Sequence, residues 1–493
     1  MSSSVPSFDS LDKIYDPSAV PKQSKRYQHL IDEFERAHGR KAEFVVRSPG
    51  RVNLIGEHID YCGFGVLPMA IERDVVIAGA VTDEDTKVRI ANVNSAKYPA
   101  REFDYEGKEK VVSIDSTKLE WSNYFKCGYK GMLEKFQLDK PKGLFLLVDG
   151  TVPAGGGLSS SAAFVCASAL AVITANKLTI SKTELTEIAI VAERNVGVNS
   201  GGMDQSASVL SEKDFALHVE FVPKLHTFPV PLPKTDPQLA FIIANTLVTA
   251  DKLVTAPRNY NLRVVETRMA ATFLSKALQL PPVDTLKEVY DAYFKDSTLK
   301  TDRKKFEHLL SKALEHFPQD STNGNGYTLD EVAKMLDMSV KEVQEKYMSR
   351  FHVETDYFRL VHRTKHVLTE ASRVVEFDAI CKHSDGEDGL KALGELMNAS
   401  QVSCSQDFMC SCPEIEQVCE IARKHGSLGS RLTGAGWGGS TVHLTTEERV
   451  PQLIQALKDE FYRKAYPNIT PEELEAAIIA TKPCSGAAIF TGF

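Results

Sequence analysis

Hydrophobic and polar positions alternate along this chain with two different periods, and the changes between them predict its elements. A helical period runs from about Tyr27 to His38, where Gly39 stops it, and Phe44–Arg47 reads as a strand. Strands follow over Arg73–Val81 and Lys87–Val93, then a helix near Trp121–Phe136 and a strand over Leu144–Val148. The longest apolar run, roughly Ala162–Ala175, belongs to a helix that opens at Ser159 and reaches about Asn176. It is shorter than the ~20 residues a membrane span requires, so it predicts a buried helix. Another helix covers Lys182 to Val196 and ends at Gly197.

Pro223, Pro229, Pro231, Pro233 and Pro237 then crowd a segment that reads as a domain linker or edge, which places a domain boundary near residue 235. Leu239–Asn245 is a predicted strand and Asn259–Lys276 a long helix. Residues 284–345 are charged, with the turn Asn323–Gly326 and the short helix Leu329–Leu336, and read as an inserted helical lobe. A long helical stretch is expected from Val340 to Phe377, with further helices near Leu390–Ala399 and Pro413–Lys424. Residues 1–25 read as a loose arm, and no internal repeat is found.

Three glycine-bearing stretches interrupt these periods. Pro153-Ala-Gly-Gly-Gly-Leu-Ser-Ser-Ser-Ala-Ala163 joins a strand to the apolar helix. Its glycines permit close backbone approach, and the unpaired N–H groups and dipole of the helix start favour an anion, most simply a phosphate. The alternative is a glycine turn with serine capping a core helix. No Gly-Lys-Ser or Gly-Lys-Thr follows, so it is not a Walker loop. Ser48-Pro-Gly-Arg-Val-Asn-Leu-Ile-Gly-Glu-His-Ile-Asp-Tyr61 gathers Arg51, Glu57, His58 and Asp60. A strand would send Arg51, Asn53 and Ile55 to one face and leave residues 56–60 as a polar turn. Carboxylates there suit a neutral polyhydroxylated ligand, since they accept hydrogen bonds from hydroxyls; the bland reading is a solvated turn with an ion pair. In Asn199-Ser-Gly-Gly-Met-Asp-Gln205, Asp204 is the sole acid, either an Asx cap or a base.

The third stretch, Gly434-Ala-Gly-Trp-Gly-Gly439, satisfies G-x-G-x-x-G, but the alternating run Ser440–Leu444 after it reads as a strand. A dinucleotide fold needs a helix there, which argues against an oxidoreductase. A glycine turn pressed against the phosphate loop fits better. The formal charge of −8 over 493 residues argues against bulk attraction to nucleic acid or an anionic membrane. Hydrophobic residues at 43% and charged residues at 25% suit a globular chain. Nine cysteines show no secreted framework, and the cluster Cys404, Cys410, Cys412, Cys419 lacks a common zinc spacing, so they read as reduced thiols. The N-terminus lacks the pattern of a signal peptide, so the sequons at Asn398 and Asn468 read as chance matches and a cytoplasmic setting is expected.

Together the stretches Pro49–Tyr61, Pro153–Ala163 and Leu432–Ser440 resemble the three motifs of the GHMP kinases, and Gly50–Tyr61 resembles the galactokinase signature. The resemblance spans about residue 27 to Phe490 and is nearest to the eukaryotic branch that also holds N-acetylgalactosamine kinases. It implies an α+β protein in two parts: an N-terminal α+β domain over 26–235, and a ferredoxin-like α+β domain over 236–493 carrying the insertion. ATP and sugar would share the cleft between them. Gly155, Gly156, Gly157, Leu158, Ser159, Ser160 and Ser161 would then cradle ATP, with Trp121 lining the adenine pocket. Ser160 and Glu193 would face Mg²⁺. Arg51, Glu57, His58, Asp60, Gly202 and Tyr260 would hold the sugar, and Asp204 would act as base beside Arg51. The implied partners are galactose and ATP, with no obligate protein partner. The implied reaction is phosphorylation of the anomeric hydroxyl of α-D-galactose, with N-acetylgalactosamine as the competing substrate and a catalytically silent sugar sensor as the other alternative.

Overall fold

The computed structural model of the protein describes residues 3–118, 120–197, 201–249, 255–299, 301–322, 324–349 and 352–493. Asn199, Ser200 and Asn323, which belong to predicted turns, lie outside them. In chain order the strands are β1 (Ser7–Phe8), β2 (Phe44–Ile55), β3 (Leu67–Thr82), β4 (Val88–Asn92), β5 (Arg101–Phe103) and β6 (Gly143–Gly150). They continue with β7 (Phe215–Glu220), β8 (His226–Pro231), β9 (Leu239–Asn245), β10 (Gly429–Thr433), β11 (Ser440–Thr446), β12 (Ile478–Thr481) and β13 (Ala488–Phe490). The helices used below are α1 (Val20–His38), α2 (Ser122–Phe136), α3 (Ser160–Ala175), α4 (Lys182–Glu193), α5 (Met203–Leu210), α6 (Tyr260–Ala277), α7 (Leu360–His383), α8 (Gly386–Ser403) and α9 (Pro413–Lys424).

A seven-stranded mixed sheet, ordered β1-β13-β2-β3-β6-β4-β5, organises the N-terminal part. Strand alternation sends Val45, Ala78 and Leu147 to the face covered by α1, and Val46, Ile77 and Leu146 to the face packed on α3. Every residue of β2 is buried, its polar side chains Arg47, Ser48, Arg51 and Asn53 included, so the strand runs on from the predicted Phe44–Arg47 to Ile55. Helix α3 is apolar almost all round and sits in the core, as its composition predicts. The second sheet is antiparallel throughout, ordered β10-β11-β9-β12. Ile242 and Ala244 of β9 pack with Val418, Ile421 and Ala422 of α9 on one of its faces. Among the described residues no helix is long and apolar enough to cross a membrane.

Four expectations need correction. The N-terminal arm is docked: Leu11, Ile14 and Tyr15 are buried, and β1 pairs in parallel with β13. Three apolar side chains in a Ser- and Pro-rich context were too few to show a period. The segment after β12 does not stay with the second sheet, because β13 crosses back to pair with β2 through Ala488↔Arg47 and Phe490↔Val45. Of the two readings of the proline-rich stretch, the linker gives way to the edge: Pro229 and Pro231 lie inside β8, which pairs only with β7 in a two-stranded hairpin. The helix expected over 340–377 is interrupted. Tyr327 and Phe358 exchange two backbone hydrogen bonds, of 2.9 and 2.8 Å, and α7 starts only at Leu360.

Both ends of the chain converge on Asp74 of β3. Its carboxylate accepts from Arg26 Nη1 and Arg47 Nε, each at 2.6 Å, and from the Tyr15 hydroxyl at 2.5 Å. Arg47 also donates to the carbonyls of Ser485 and Gly486 at 2.8 and 3.0 Å. Burial alone would raise the Asp74 carboxyl, but the two guanidiniums hold it below its usual range. Asp74→Asn leaves the fully buried Arg47 without a counter-charge, while Arg26 keeps Asp149 at 2.7 Å, so we expect a loss of about 3–5 kcal/mol. Urea unfolding checks this as a lowered midpoint; an unchanged midpoint would remove the network from the stability of the sheet.

Candidate active site

Strand β2 delivers Arg51 to the centre of the site. Its Nε and Nη2 donate to Oδ1 of Asp204 at 2.8 and 2.7 Å, and its Nη1 donates to the Gly157 carbonyl at 2.7 Å. Asp204 lies in the first turn of α5, whose cap is Gly202 at φ 111°. The carboxylate of Asp60 packs against the same turn: a Cβ on Gly201 would stand 2.4 Å from its Oδ2, so only glycine fits there. Burial first, and then the Asp204 charge, push the Asp60 carboxyl up to about 6, with Arg51 pulling the other way. Tyr260 opens α6 with its ring centroid 5.5 Å from that of Tyr61. Among the described residues its hydroxyl makes no hydrogen bond, and burial together with the Asp60 and Asp204 charges keeps it protonated.

Glu57 and His58 sit differently. The Glu57 carboxylate accepts from Arg431 Nη2 at 3.0 Å and from the Gly434 N–H at 3.1 Å, while burial raises it to about 7. His58 takes a positive φ of 60° and is pushed down to about 3 by burial. Its Nε2 lies 2.9 Å from the Ala435 carbonyl, which requires the proton on that nitrogen, so Nδ1 accepts from the Tyr61 hydroxyl at 3.0 Å. Both residues that the resemblance assigns to the sugar thus also tie the turn to the third glycine stretch.

The phosphate loop lies beside Arg51. Gly155 and Gly157 have φ of 73° and 74°, and Ser159, at the cap of α3, has φ 59°. The third glycine stretch presses on it: a Cβ at Gly434 would stand 2.5 Å from the Gly157 carbonyl oxygen. Ser160 and Ser161 begin α3. Trp121 caps α2, stacks on Phe164 of α3 at 5.9 Å and 8°, and donates its indole N–H to the Pro99 carbonyl. Glu193 closes α4, is 3% exposed, and accepts from the Gln205 amide next to Asp204. Among the described residues no three His, Cys, Asp or Glu side chains converge on a metal cage. A hydroxyl and one carboxylate would suit Mg²⁺ only together with phosphate oxygens and water.

Several residues of the site carried no sequence signal. Glu370 of α7 accepts from the N–H groups of Gly56 and Glu57 at 2.9 and 3.2 Å and from Ser400 Oγ at 2.7 Å. Burial would raise Glu370, yet Arg373 and Arg431 hold it down to about 2. His366 donates through Nε2 to the Glu57 carbonyl at 2.9 Å. Arg431 donates to the Asn53 carbonyl at 2.7 Å, and Thr433 accepts from the Asn53 N–H at 2.8 Å. Arg431 and Thr433 stand in the stretch leading into Gly434, so the glycine turn could have pointed to them; nothing local marks Glu370 or His366.

The comparisons fit this geometry. Family models described as "GHMP kinases N terminal domain" and "GHMP kinases C terminal" match residues 123–212 and 381–464, so fold and site define a GHMP kinase. The model "Galactokinase galactose-binding signature" matches residues 32–81, which contain the Arg51–Asp60 stretch. The galactokinase of Saccharomyces cerevisiae is 41% identical over 99% of this chain and 98% of its own. That of Schizosaccharomyces pombe is 40% identical over 95% and 96%. The crystal structure of Lactococcus lactis galactokinase complexed with galactose superposes with a TM-score of 0.70 at 26% identity, covering 94% of this chain and 99% of that one. The chain belongs to the galactokinase family.

The elevated Asp60 gives a pH signature. Its carboxylate form predominates only above about 6, so acidification through that value removes an anionic acceptor from the site. We expect sugar kcat/KM in the wild type to fall as the pH drops through about 6, below the step that Glu57 gives near 7, and this lower bend to be absent in Asp60→Asn. Steady-state profiles of both proteins check this, and a bend that survives in Asp60→Asn assigns it to another group.

Proposed function

We propose that this protein transfers the γ-phosphoryl group of ATP to the anomeric C1 hydroxyl of α-D-galactose, giving galactose 1-phosphate and ADP. One observation carries the reading: a single guanidinium, Arg51, bonds both the Asp204 carboxylate and the Gly157 carbonyl of the phosphate loop. A proton acceptor and a polyphosphate cradle are thereby fixed within reach of one side chain. That is the arrangement phosphoryl transfer needs, since the chemistry is mostly positioning and charge neutralisation.

In this reading Asp204 takes or orients the proton of the C1 hydroxyl. Arg51 holds the Asp204 carboxylate in place and offsets charge gathering on the transferred group. Asp60, at the Gly201–Gly202 turn, accepts from sugar hydroxyls, as does Glu57 beside its bonds to Arg431 and Gly434; Tyr260 supplies a phenol that has no partner of its own among the described residues. His58 fixes the turn as a neutral ring. The loop from Gly155 to Ser161 cradles the nucleotide phosphates, and Trp121 lines the adenine side. Mg²⁺, bound through Ser160 and Glu193 together with phosphate oxygens, would supply charge neutralisation. Nine free cysteines suit the reducing cytoplasm as the setting. ATP consumption measured over a panel of free sugars tests the activity directly, and a protein that consumes ATP with none of them would be the silent sensor instead.

Asp204→Asn keeps the shape of the site but cannot accept the proton. We expect kcat to fall by about 100-fold or more with sugar affinity within several-fold, the loss typical of a general base. Near wild-type turnover in that variant would reduce Asp204 to a positioning contact.

Tyr260 bears on which sugar is preferred. A phenol can bond a small hydroxyl, whereas a bulky acetamido group would displace it and leave a buried donor unmet, at about 1–3 kcal/mol. We expect kcat/KM for galactose at least about tenfold above that for N-acetylgalactosamine, with part of this preference lost in Tyr260→Phe. Both sugars measured with both proteins decide it: a wild type that prefers the acetamido sugar overturns the substrate, and an unchanged ratio in the variant clears Tyr260.

A further inference from the structure

The carbonyls of the phosphate loop are held one after another by donors behind it. The Gly156 carbonyl accepts from the Ser440 hydroxyl at 2.5 Å. The Gly157 carbonyl accepts from Arg51 Nη1 at 2.7 Å, and the Leu158 carbonyl from the Arg51 backbone N–H at 3.1 Å. A trans peptide is planar, with its N–H directed opposite to its C=O. Fixing three successive carbonyls on donors therefore turns the N–H groups of Gly157, Leu158 and Ser159 away from those donors. Among the described residues none of these three N–H groups has an acceptor. Orphan amides in a row beside a helix start form the concavity that anions occupy.

Two of the three anchors come from Arg51, which the reaction already uses. The third comes from the other sheet. Ser440 begins β11, is fully buried, and reaches the loop because the glycine stretch before it lies directly on Gly157. Among the described residues no other hydrogen bond holds the Gly156–Gly157 peptide: the Gly156 N–H bonds locally to the Pro153 carbonyl at 3.2 Å, and Gly157 has the φ of 74° at which a peptide can turn over most easily.

We propose that Ser440 is a positioning residue for the nucleotide: its hydroxyl holds the Gly156–Gly157 peptide with the Gly157 N–H directed at the phosphates of ATP. The inference rests on the reading that this loop binds those phosphates. Without the hydroxyl the peptide turns over freely, and only a fraction of molecules present the full set of N–H groups; apparent ATP affinity falls by that fraction. The sugar turn is held by Arg431, Thr433 and Gly434 through bonds to Asn53 and Glu57 that do not involve the Ser440 hydroxyl, and keeps its geometry.

The test compares wild type, Ser440→Ala and Gly156→Val by calorimetric titration with ATP and separately with galactose, with melting temperatures for each. We expect Ser440→Ala to weaken ATP by about tenfold, to leave galactose within twofold, and to melt within a few degrees of the wild type. KM for ATP should rise in step while KM for galactose stays. If Ser440→Ala binds ATP as tightly as the wild type while Gly156→Val loses it, the proposal fails and the loop assignment stands. If both variants bind ATP normally, the loop assignment falls and the proposal with it. Equal weakening for ATP and galactose with a large drop in melting temperature would make Ser440 a packing residue only, which also overturns the proposal.

Discussion

The site depends on buried charge shared between the two sheets. Glu57 from the first meets Arg431 from the second at 3.0 Å, and Glu370 on α7 receives the adjacent N–H groups of Gly56 and Glu57. Arg431 and Glu370 are fully buried, and Glu57 nearly so. Charges withdrawn from water in this way cost several kcal/mol each unless their partners are placed well, so the contact tolerates little displacement. It contributes less to net stability than a packed apolar interface would. It contributes more to geometry, because a polar turn with no regular structure of its own is fixed by directional bonds at Asn53, Gly56, Glu57 and His58. The sugar turn is a local feature in the sequence and a product of both sheets in space.

The same principle governs the phosphate loop from another side. Glycine there gives freedom to approach a ligand, and freedom has to be removed again before affinity can follow. Arg51 and Ser440 remove it at the carbonyls, leaving the N–H groups unengaged. Arg51 serves at once as counter-charge to Asp204 and as anchor of the loop, so the two halves of the proposed reaction centre share a single side chain that is 4% exposed.

What could be read from the chain beforehand follows the range of the interactions. Helices and strands with a strong period fell close to their observed bounds: Leu239–Asn245, Leu329–Leu336 and Pro413–Lys424 coincide with them. Local chemistry was equally visible, since Arg51, Asp60 and Asp204 announced themselves by residue type beside glycine, and the structure brings all three together. Contacts between distant segments were not visible. The pairing of β13 with β2 depends on three residues at Ala488–Phe490, too short a run to carry a period, and β1 is shorter still. Glu370 and His366 lie on a helix whose pattern is that of any half-buried helix. Only their neighbours across the cleft give them a task, and those neighbours are hundreds of residues away in the chain.

The return of the chain to its first sheet has a consequence for how the protein is made. Ser485, which caps Arg47 from below, is synthesised 438 residues after it. Until then the Val45–Arg47 edge of β2 is unpaired, and β1 has no strand to join. A growing chain can collapse around α3 early, but the N-terminal sheet cannot close as an independent unit on the ribosome. The second sheet must be spun out first, and the ordering of the whole molecule waits on one late strand. Chains of this kind accumulate exposed strand edges while they grow, which makes them clients for the machinery that shields nascent polypeptides.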